Sequence, residues 1–219
     1  MNIVLWADLQ CPFCLVGETN LKNAIKELGL EDEIDLDIKA NEIHRPEDGE
    51  GDHPLIQIFQ EKDGFSYDGA VAQAAKIDKM AKDEADLIID FANARESTDI
   101  DAHRLFKFAL DQDREKAMLL RDLIHKAYFV DHKVLNNRDN LLELAKAAEL
   151  DVRAAEEMLD SDLYIREVRD DEMELNALKA ESVPYFIVGT EVVPEHLTKE
   201  EMKKVLIRNI EKEAAENAE

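Results

Sequence analysis

Cys11 and Cys14 are the only cysteines in a chain of 219 residues, and they stand two residues apart as Cys11-Pro12-Phe13-Cys14. The motif follows the apolar run Ile3-Val4-Leu5-Trp6 and precedes a helical pattern, so it is predicted to open a helix directly after a strand. The first backbone N–H groups of a helix have no internal partner and the macrodipole is positive there, so a thiolate at that end is stabilised. Pro12 suits the first helical position, where a missing N–H costs nothing. Cys14 lies one turn on, near enough to close a disulfide with Cys11 or to resolve a mixed disulfide formed on it. The chemistry implied is thiol–disulfide exchange, with Cys11 expected to face solvent. The competing use of a cysteine pair is half of a structural zinc site, but that needs four ligands. No second cysteine pair and no His-x₃₋₅-His run supplies them, and His44, His53, His125, His132 and His196 show no metal spacing among themselves. No metal and no cofactor is expected.

The elements that must position this pair follow from periodicity. Residues 3–6 read as a short buried strand and 11–28 as a helix closed by Gly29, with Leu21, Ala24, Ile25 and Leu28 as its inward stripe. Ile34, Leu36 and Ile38 alternate with Asp35 and Asp37, a strand with one face on a core, which completes a βαβ unit. Across 41–69 the periodicity fails among the breakers Pro46, Gly49, Gly51, Pro54 and Gly64, so this stretch is expected to be loop, one that can line a groove, with a short helix over 55–60.

Residues 67–180 contain no proline and are rich in helix formers, with Ser97, Thr98 and Asp101 as caps; 87–91 suits a buried strand or extended connection as well as a helix. Leu105, Phe106, Ala109 and Leu110, then Leu119, Leu120, Leu123, Ile124, Ala127 and Tyr128, mark inward stripes read as core. Tyr185-Phe186-Ile187-Val188 returns to strand character, Val192-Val193 forms a return strand, and Thr198-Lys199-Glu200-Glu201 is a capping box opening a last helix, with a fraying tail over 211–219. The predicted organisation is a discontinuous α/β domain, 1–66 and 181–219, carrying an α-helical insertion, 67–180.

Composition bounds the partners. Lys and Arg number 27 against 51 Asp and Glu, a formal net charge of −24, which repels nucleic-acid backbones and anionic lipid surfaces. No run approaches the roughly 18 apolar residues of a membrane span. Strand residues begin at Ile3, which leaves no room for a secretory leader, so a cytoplasmic protein is expected. There a disulfide is more often catalytic than structural.

Taken together, Cys-Pro-Phe-Cys on a helix after a strand and Ser182-Val183-Pro184-Tyr185-Phe186 entering another strand resemble the DsbA group of thioredoxin-fold oxidoreductases. The run Asp99-Ile100-Asp101-Ala102-His103-Arg104-Leu105 and the run Ala127-Tyr128-Phe129 are similar to those of the FrnE-like branch. The resemblance implies a thioredoxin-like α/β domain with a large α-helical insertion. It implies Cys11 as the attacking thiol, Cys14 as the resolving thiol, and Pro184 as a cis proline beside them that leaves the Val183 backbone free to pair with an extended client. Pro12, Phe13 and Val183 are the substrate-binding residues on this reading. The partners implied are protein or peptide thiols and disulfides, with small-molecule thiols also in range.

Phe13 stands where the family carries Trp or His and offers no hydrogen-bond donor. Val193-Pro194-Glu195-His196 departs from the family's pattern after the return strand. Related isomerases of the 2-hydroxychromene-2-carboxylate type carry Ser in place of Cys11, which favours thiol exchange over isomerisation. The alternative is a redox-independent holdase or adaptor that binds client peptides in the Val183-Pro184 groove. Asp8, three residues before Cys11, fits a proton relay from Cys14 or a turn. Trp6 is expected in the core, and His103 and Arg104 in structural roles.

Overall fold

In the computed structural model, which describes residues 1–43 and 53–216, the N-terminal apolar run forms strand β1 (Asn2–Ala7) and leads through a short turn into helix α1 (Pro12–Leu28). Gly29 ends α1 in the left-handed region at φ 66, donating its N–H to the Ile25 and Lys26 carbonyls, a conformation that costs glycine nothing. Strand β2 (Asp35–Ala40) lies parallel to β1, pairing Ile3 with Leu36 and Leu5 with Ile38, so the expected βαβ unit is present. His44, Pro46, Gly49, Gly51 and residues 217–219, on which parts of the sequence reading fall, lie outside the described residues.

The chain continues through β3 (His53–Pro54), α2 (Leu55–Glu61) and α3 (Tyr67–Ala85), then runs extended to a 3-10 turn at Phe91–Asn93 and into β4 (Arg95–Glu96), which pairs antiparallel with β3. The ambiguous stretch 87–91 is thus a connection up to Asp90 that enters the 3-10 turn at Phe91, held where the Phe91 N–H meets the Asp78 carboxylate and the Asp90 N–H meets the Phe129 carbonyl. Helices α4 (Ile100–Gln112), α5 (Arg114–Phe129), α6 (Arg138–Ala147), α7 (Val152–Leu159) and α8 (Ile165–Ala177) follow, and the chain returns as β5 (Tyr185–Val188), β6 (Glu191–Val193) and α9 (Lys199–Glu216). The main sheet runs β2-β1-β5-β6, with β5 and β6 antiparallel to their neighbours. This is a thioredoxin-like α/β arrangement with helices inserted between β2 and β5.

Strand alternation sorts the two faces of the sheet. Ile3, Leu5 and Ala7 share one core with Leu21 and Ile25 of α1 and Val205 and Leu206 of α9. Trp6 turns the other way, buried against Leu175 of α8 and Tyr185, and its Nε1 donates to the Asp171 carbonyl at 3.0 Å.

Three local expectations need correction. Leu119 is 43% exposed, because the inward face of α5 is set by Leu120, Ile124 and Tyr128, and Leu119 falls off that stripe. The residue preceding α4 is Asp99 rather than Ser97 or Asp101; Ser97 instead accepts the Leu135 N–H through its hydroxyl, and Asp101 pairs with Arg104. The stretch 211–216, expected to fray, is continuous with the C-terminal helix, where Lys212 reaches the Thr190 hydroxyl and Glu213 the N-terminal ammonium. Its capping box forms as read, with the Thr198 N–H on the Glu201 carboxylate and the Glu201 N–H on the Thr198 hydroxyl. Arg104 is structural: its guanidinium binds the carbonyls of Met158, Ser161 and Leu163, tying α4 to the end of α7 and the connection that follows it. Among the described residues no helix is long and apolar enough to cross a membrane.

Candidate active site

Cys11 is the N-cap of α1, in an extended conformation, with Pro12 in the first helical position. Its sulfur accepts the Cys14 N–H at 3.4 Å, and its carbonyl accepts the Leu15 N–H at 3.1 Å, so both thiols, present in the free form, sit on one helical turn. The expected exposure of Cys11 needs correction: it is 7% exposed and Cys14 is fully buried. Cys11 opens instead onto a cavity of about 320 Å³, which Cys14 does not line. Burial pushes the Cys14 thiol well above its usual value, the adjoining Cys11 sulfur and the Asp8 carboxylate add to this, and a hydrogen bond from the Asp8 backbone opposes it. Cys14 is therefore held protonated at neutral pH unless a base takes its proton.

The turn that delivers the motif is pinned from two sides. Asp8, buried at the end of β1, accepts the Gln10 N–H on one carboxylate oxygen and the Ile43 N–H on the other, each at 2.6 Å. From the helical tract, Asp99 accepts the Leu9 N–H at 3.3 Å, and the Gln10 side chain bonds both backbone groups of Ser97. Asp8 thus fills the turn role outright. Burial, with the Asp99 carboxylate beside it, pushes Asp8 up to about 7. Asp99 is also raised by burial and by Glu42, while burial holds His103, 3.4 Å from the Asp99 carboxylate, down to about 4. A group of proton-holding carboxyls therefore lies directly beneath the cysteine turn.

Behind α1, Arg121 meets Glu18 at 2.7 Å with both side chains buried. Burial alone would raise Glu18, but Arg121 and then Lys22 hold it well below the usual carboxylate range. Glu18, Asp122 and His125 bring three potential metal donors within 4.8 Å of one another. The Lys22 ammonium already stands 2.9 Å from both carboxylates, so a fixed cation neutralises that cluster.

Phe13 projects from the first turn, 39% exposed, with its ring 5.3 Å from that of His196. The Val183–Pro184 peptide is cis, and Pro184 reaches the same helix one turn beyond Cys14, where a Cβ on Gly17 would lie 3.3 Å from its Cγ. Cys11, Pro12 and Phe13 share the cavity wall; Val183 and Pro184 are not among the described residues lining it. The 41–69 segment contributes Ile43, Leu55, Ile58, Phe59 and Phe65, so its expected groove-lining part is real for the described residues. Sequence reasoning missed Tyr128 as a site residue: its helical spacing marks it as core, yet its ring also faces the cavity. Burial, and then nearby carboxylates and Cys11, raise its phenol well above the usual value, so it stays protonated.

A model of the DSBA-like thioredoxin domain family matches residues 2–206. No curated protein matches the chain in sequence. Among solved structures, the chain is similar to a probable DsbA oxidoreductase from Streptomyces coelicolor, with 24% identity over 95% of this chain and 89% of that one and a TM-score of 0.86. It is also similar to the cytosolic disulfide reductase DsbM from Pseudomonas aeruginosa with GSH, at 18% identity over 96% and 100% of the two chains and a TM-score of 0.64. A 2-hydroxychromene-2-carboxylate isomerase aligns at 13% identity over 100% and 98%, with a TM-score of 0.63.

Proposed function

The chain belongs to the DSBA-like thioredoxin domain family, and from that premise we propose that it exchanges a dithiol at Cys11 and Cys14 with the thiols or disulfides of client proteins. The observation that carries the reading is the 3.4 Å approach of the Cys14 N–H to the Cys11 sulfur at the end of α1, with Cys11 open to a cavity and Cys14 closed off. In the reductive direction the Cys11 thiolate attacks one client sulfur. A Cys11–client disulfide forms, the client disulfide breaks, and the other client sulfur leaves as a thiolate that takes up a proton. Cys14, giving its proton to Asp8, then attacks the Cys11 sulfur and expels the second client thiol. Two electrons pass to the client, which ends as a dithiol, and the chain ends as the Cys11–Cys14 disulfide. The reverse sequence oxidises a client.

Pro184 is assigned to shaping the client face against α1, the Val183 backbone to pairing with an extended client, and Pro12 and Phe13 to the client-facing edge of the motif. The FrnE-like branch is the assignment favoured by the run from Asp99 to Leu105, and a cytoplasmic setting accords with the cytosolic DsbM relative.

The test is covalent trapping. Cys14→Ser is expected to accumulate mixed disulfides with client proteins or a model disulfide, and Cys11→Ser none. A chain lacking both thiols that keeps full biological activity would overturn the exchange reading in favour of a redox-independent binder.

A further inference from the structure

We propose that His196 is a positioning residue for the attack by Cys11: anchored on the Glu84 carboxylate, it holds the Phe13 ring that flanks the thiol and acts on the sulfur only through that ring. The inference rests on the exchange reading above and goes beyond it by assigning part of the exchange rate to a residue outside the motif and its turn.

Three contacts converge on His196. Its ring centroid is 5.3 Å from that of Phe13 and the two planes are tilted by 42°, within the range where ring pairs attract. Its Nε2 stands 3.2 Å from the Glu84 carboxylate. Its Cβ packs on α1 at Gly17, where an added Cβ would lie 3.2 Å away. Phe13 and Gly17 are one turn apart on α1 and so share a face, and His196 lies along it with its Cβ set against Gly17 and its ring against Phe13. Glu84 belongs to the last turn of α3, whereas His196 follows β6. The helices inserted between β2 and β5 thus supply the anchor, and the sheet's C-terminal end supplies the imidazole.

Phe13 needs such a support. It is 39% exposed, and an exposed side chain changes rotamer rapidly unless something backs it. Its ring shares a cavity wall with Cys11, so a ring free to swing screens the thiol from an approaching disulfide for part of the time. The attack rate then falls with the fraction of time the thiol is clear. His196 is itself partly exposed, with a quarter of its side chain in solvent, and Glu84 fixes it in turn. The pairing requires a proton on Nε2, which the cationic ring and one neutral tautomer both carry. The bond chemistry is unchanged: the Cys11 thiolate forms a disulfide with one client sulfur, the client disulfide breaks, and the other sulfur leaves as a thiolate and is protonated.

Single-turnover attack, isolated by placing every variant in the Cys14→Ser chain, tests this with dipyridyl disulfide. Cys11 takes one pyridylthio group, and the other leaves as pyridine thione, whose absorbance gives the rate. His196→Ala is expected to slow release by about threefold to tenfold, the range set by losing one ring pair. Glu84→Ala, at a partly exposed site, should slow it by about twofold and should add nothing once His196 is alanine. His196→Gln should recover part of the loss, since it still offers an N–H to Glu84 and a planar group to Phe13. In the Phe13→Ala chain, His196→Ala should change nothing, which separates positioning of the ring from lost packing on α1. An unchanged rate in either His196→Ala or Glu84→Ala overturns the inference, as does no recovery in His196→Gln or a full slowing by His196→Ala in the Phe13→Ala chain; each leaves the exchange reading intact. Should His196→Ala fail to fold, Glu84→Ala decides alone. Failure of the Cys14→Ser chain itself to release pyridine thione overturns the exchange reading as well.

Discussion

Asp8 and Cys14 are electrostatically linked at the turn that carries the motif: burial raises the Cys14 thiol, and the Asp8 carboxylate, itself pushed up to about 7 by burial, raises it further. A thiol that resists ionisation and a carboxyl that titrates near neutrality are thus placed side by side. That is the arrangement a resolving cysteine needs, since its proton must go somewhere before it can attack. Asp8→Asn keeps one acceptor for the turn but removes the base. Trapped mixed disulfides are expected at pH 7 in this variant even with Cys14 present, and the pH profile of resolution should lose its limb near pH 7. An unchanged profile would leave Asp8 with the turn alone.

The two thiols should differ in access. Cys11 opens on the cavity, whereas Cys14 is fully buried and held protonated by that burial. Alkylation of the reduced protein should modify Cys11 first, with Cys14 protected until the fold opens. Mass spectrometry of early time points checks this, and equal labelling contradicts it.

Gly17 tests the seating of Pro184 on α1. A Cβ there would lie 3.1 Å from Phe186 Cζ, 3.2 Å from His196 Cβ and 3.3 Å from Pro184 Cγ, on three sides at once. Alanine gains about 1 kcal/mol of helix propensity over glycine, but overpacking a filled site costs about 1–3 kcal/mol. The packing cost should win. Gly17→Ala is expected to be destabilised by about 1 kcal/mol in denaturant titration and to slow exchange by shifting the Pro184 segment. A stabilised variant would show that the three neighbours yield freely.

The buried titrating groups predict opposite slopes of stability against pH. Asp8 is raised to about 7, so between its ordinary value and 7 the folded state holds a proton the unfolded chain lacks, and its contribution to stability is present at low pH and lost as pH rises. His125 is lowered to about 3 by burial, so its contribution is present above the ordinary histidine value of 6.5 and lost as pH falls. Between pH 5 and 6 the two oppose each other. Asp8→Asn should therefore make stability fall on acidification by up to about 1.4 kcal/mol per pH unit relative to wild type, and His125→Phe should change it by a similar amount in the other direction. Chemical denaturation across that window decides, and slopes shifting the same way in both variants would contradict the assignments.

How much of this was legible in the chain follows from the range of each interaction. The β1-α1-β2 unit, Cys11 at the mouth of α1, the Gly29 cap and the Thr198 capping box are written in residues a few positions apart. There, propensity, periodicity and capping act without help from the rest of the chain. The type and spacing of Cys11 and Cys14, together with Pro184 before a strand, were enough to indicate the family and its exchange chemistry. What the tertiary structure decided depends on residues far apart in sequence. Cys11 opens on a cavity rather than on bulk solvent because α2 and Phe91 supply other walls of that cavity. Asp8 is raised first because the packing buries it, and then because the Asp99 carboxylate, some ninety positions on, lies beside it where neither charge is screened by water. Tyr128 carries the spacing of an ordinary core residue, and only the tertiary arrangement gives it a place in the cavity wall. Periodicity records which face of an element is buried. It does not record which element buries it, and the depth of the site and the protonation of its acids come from that pairing.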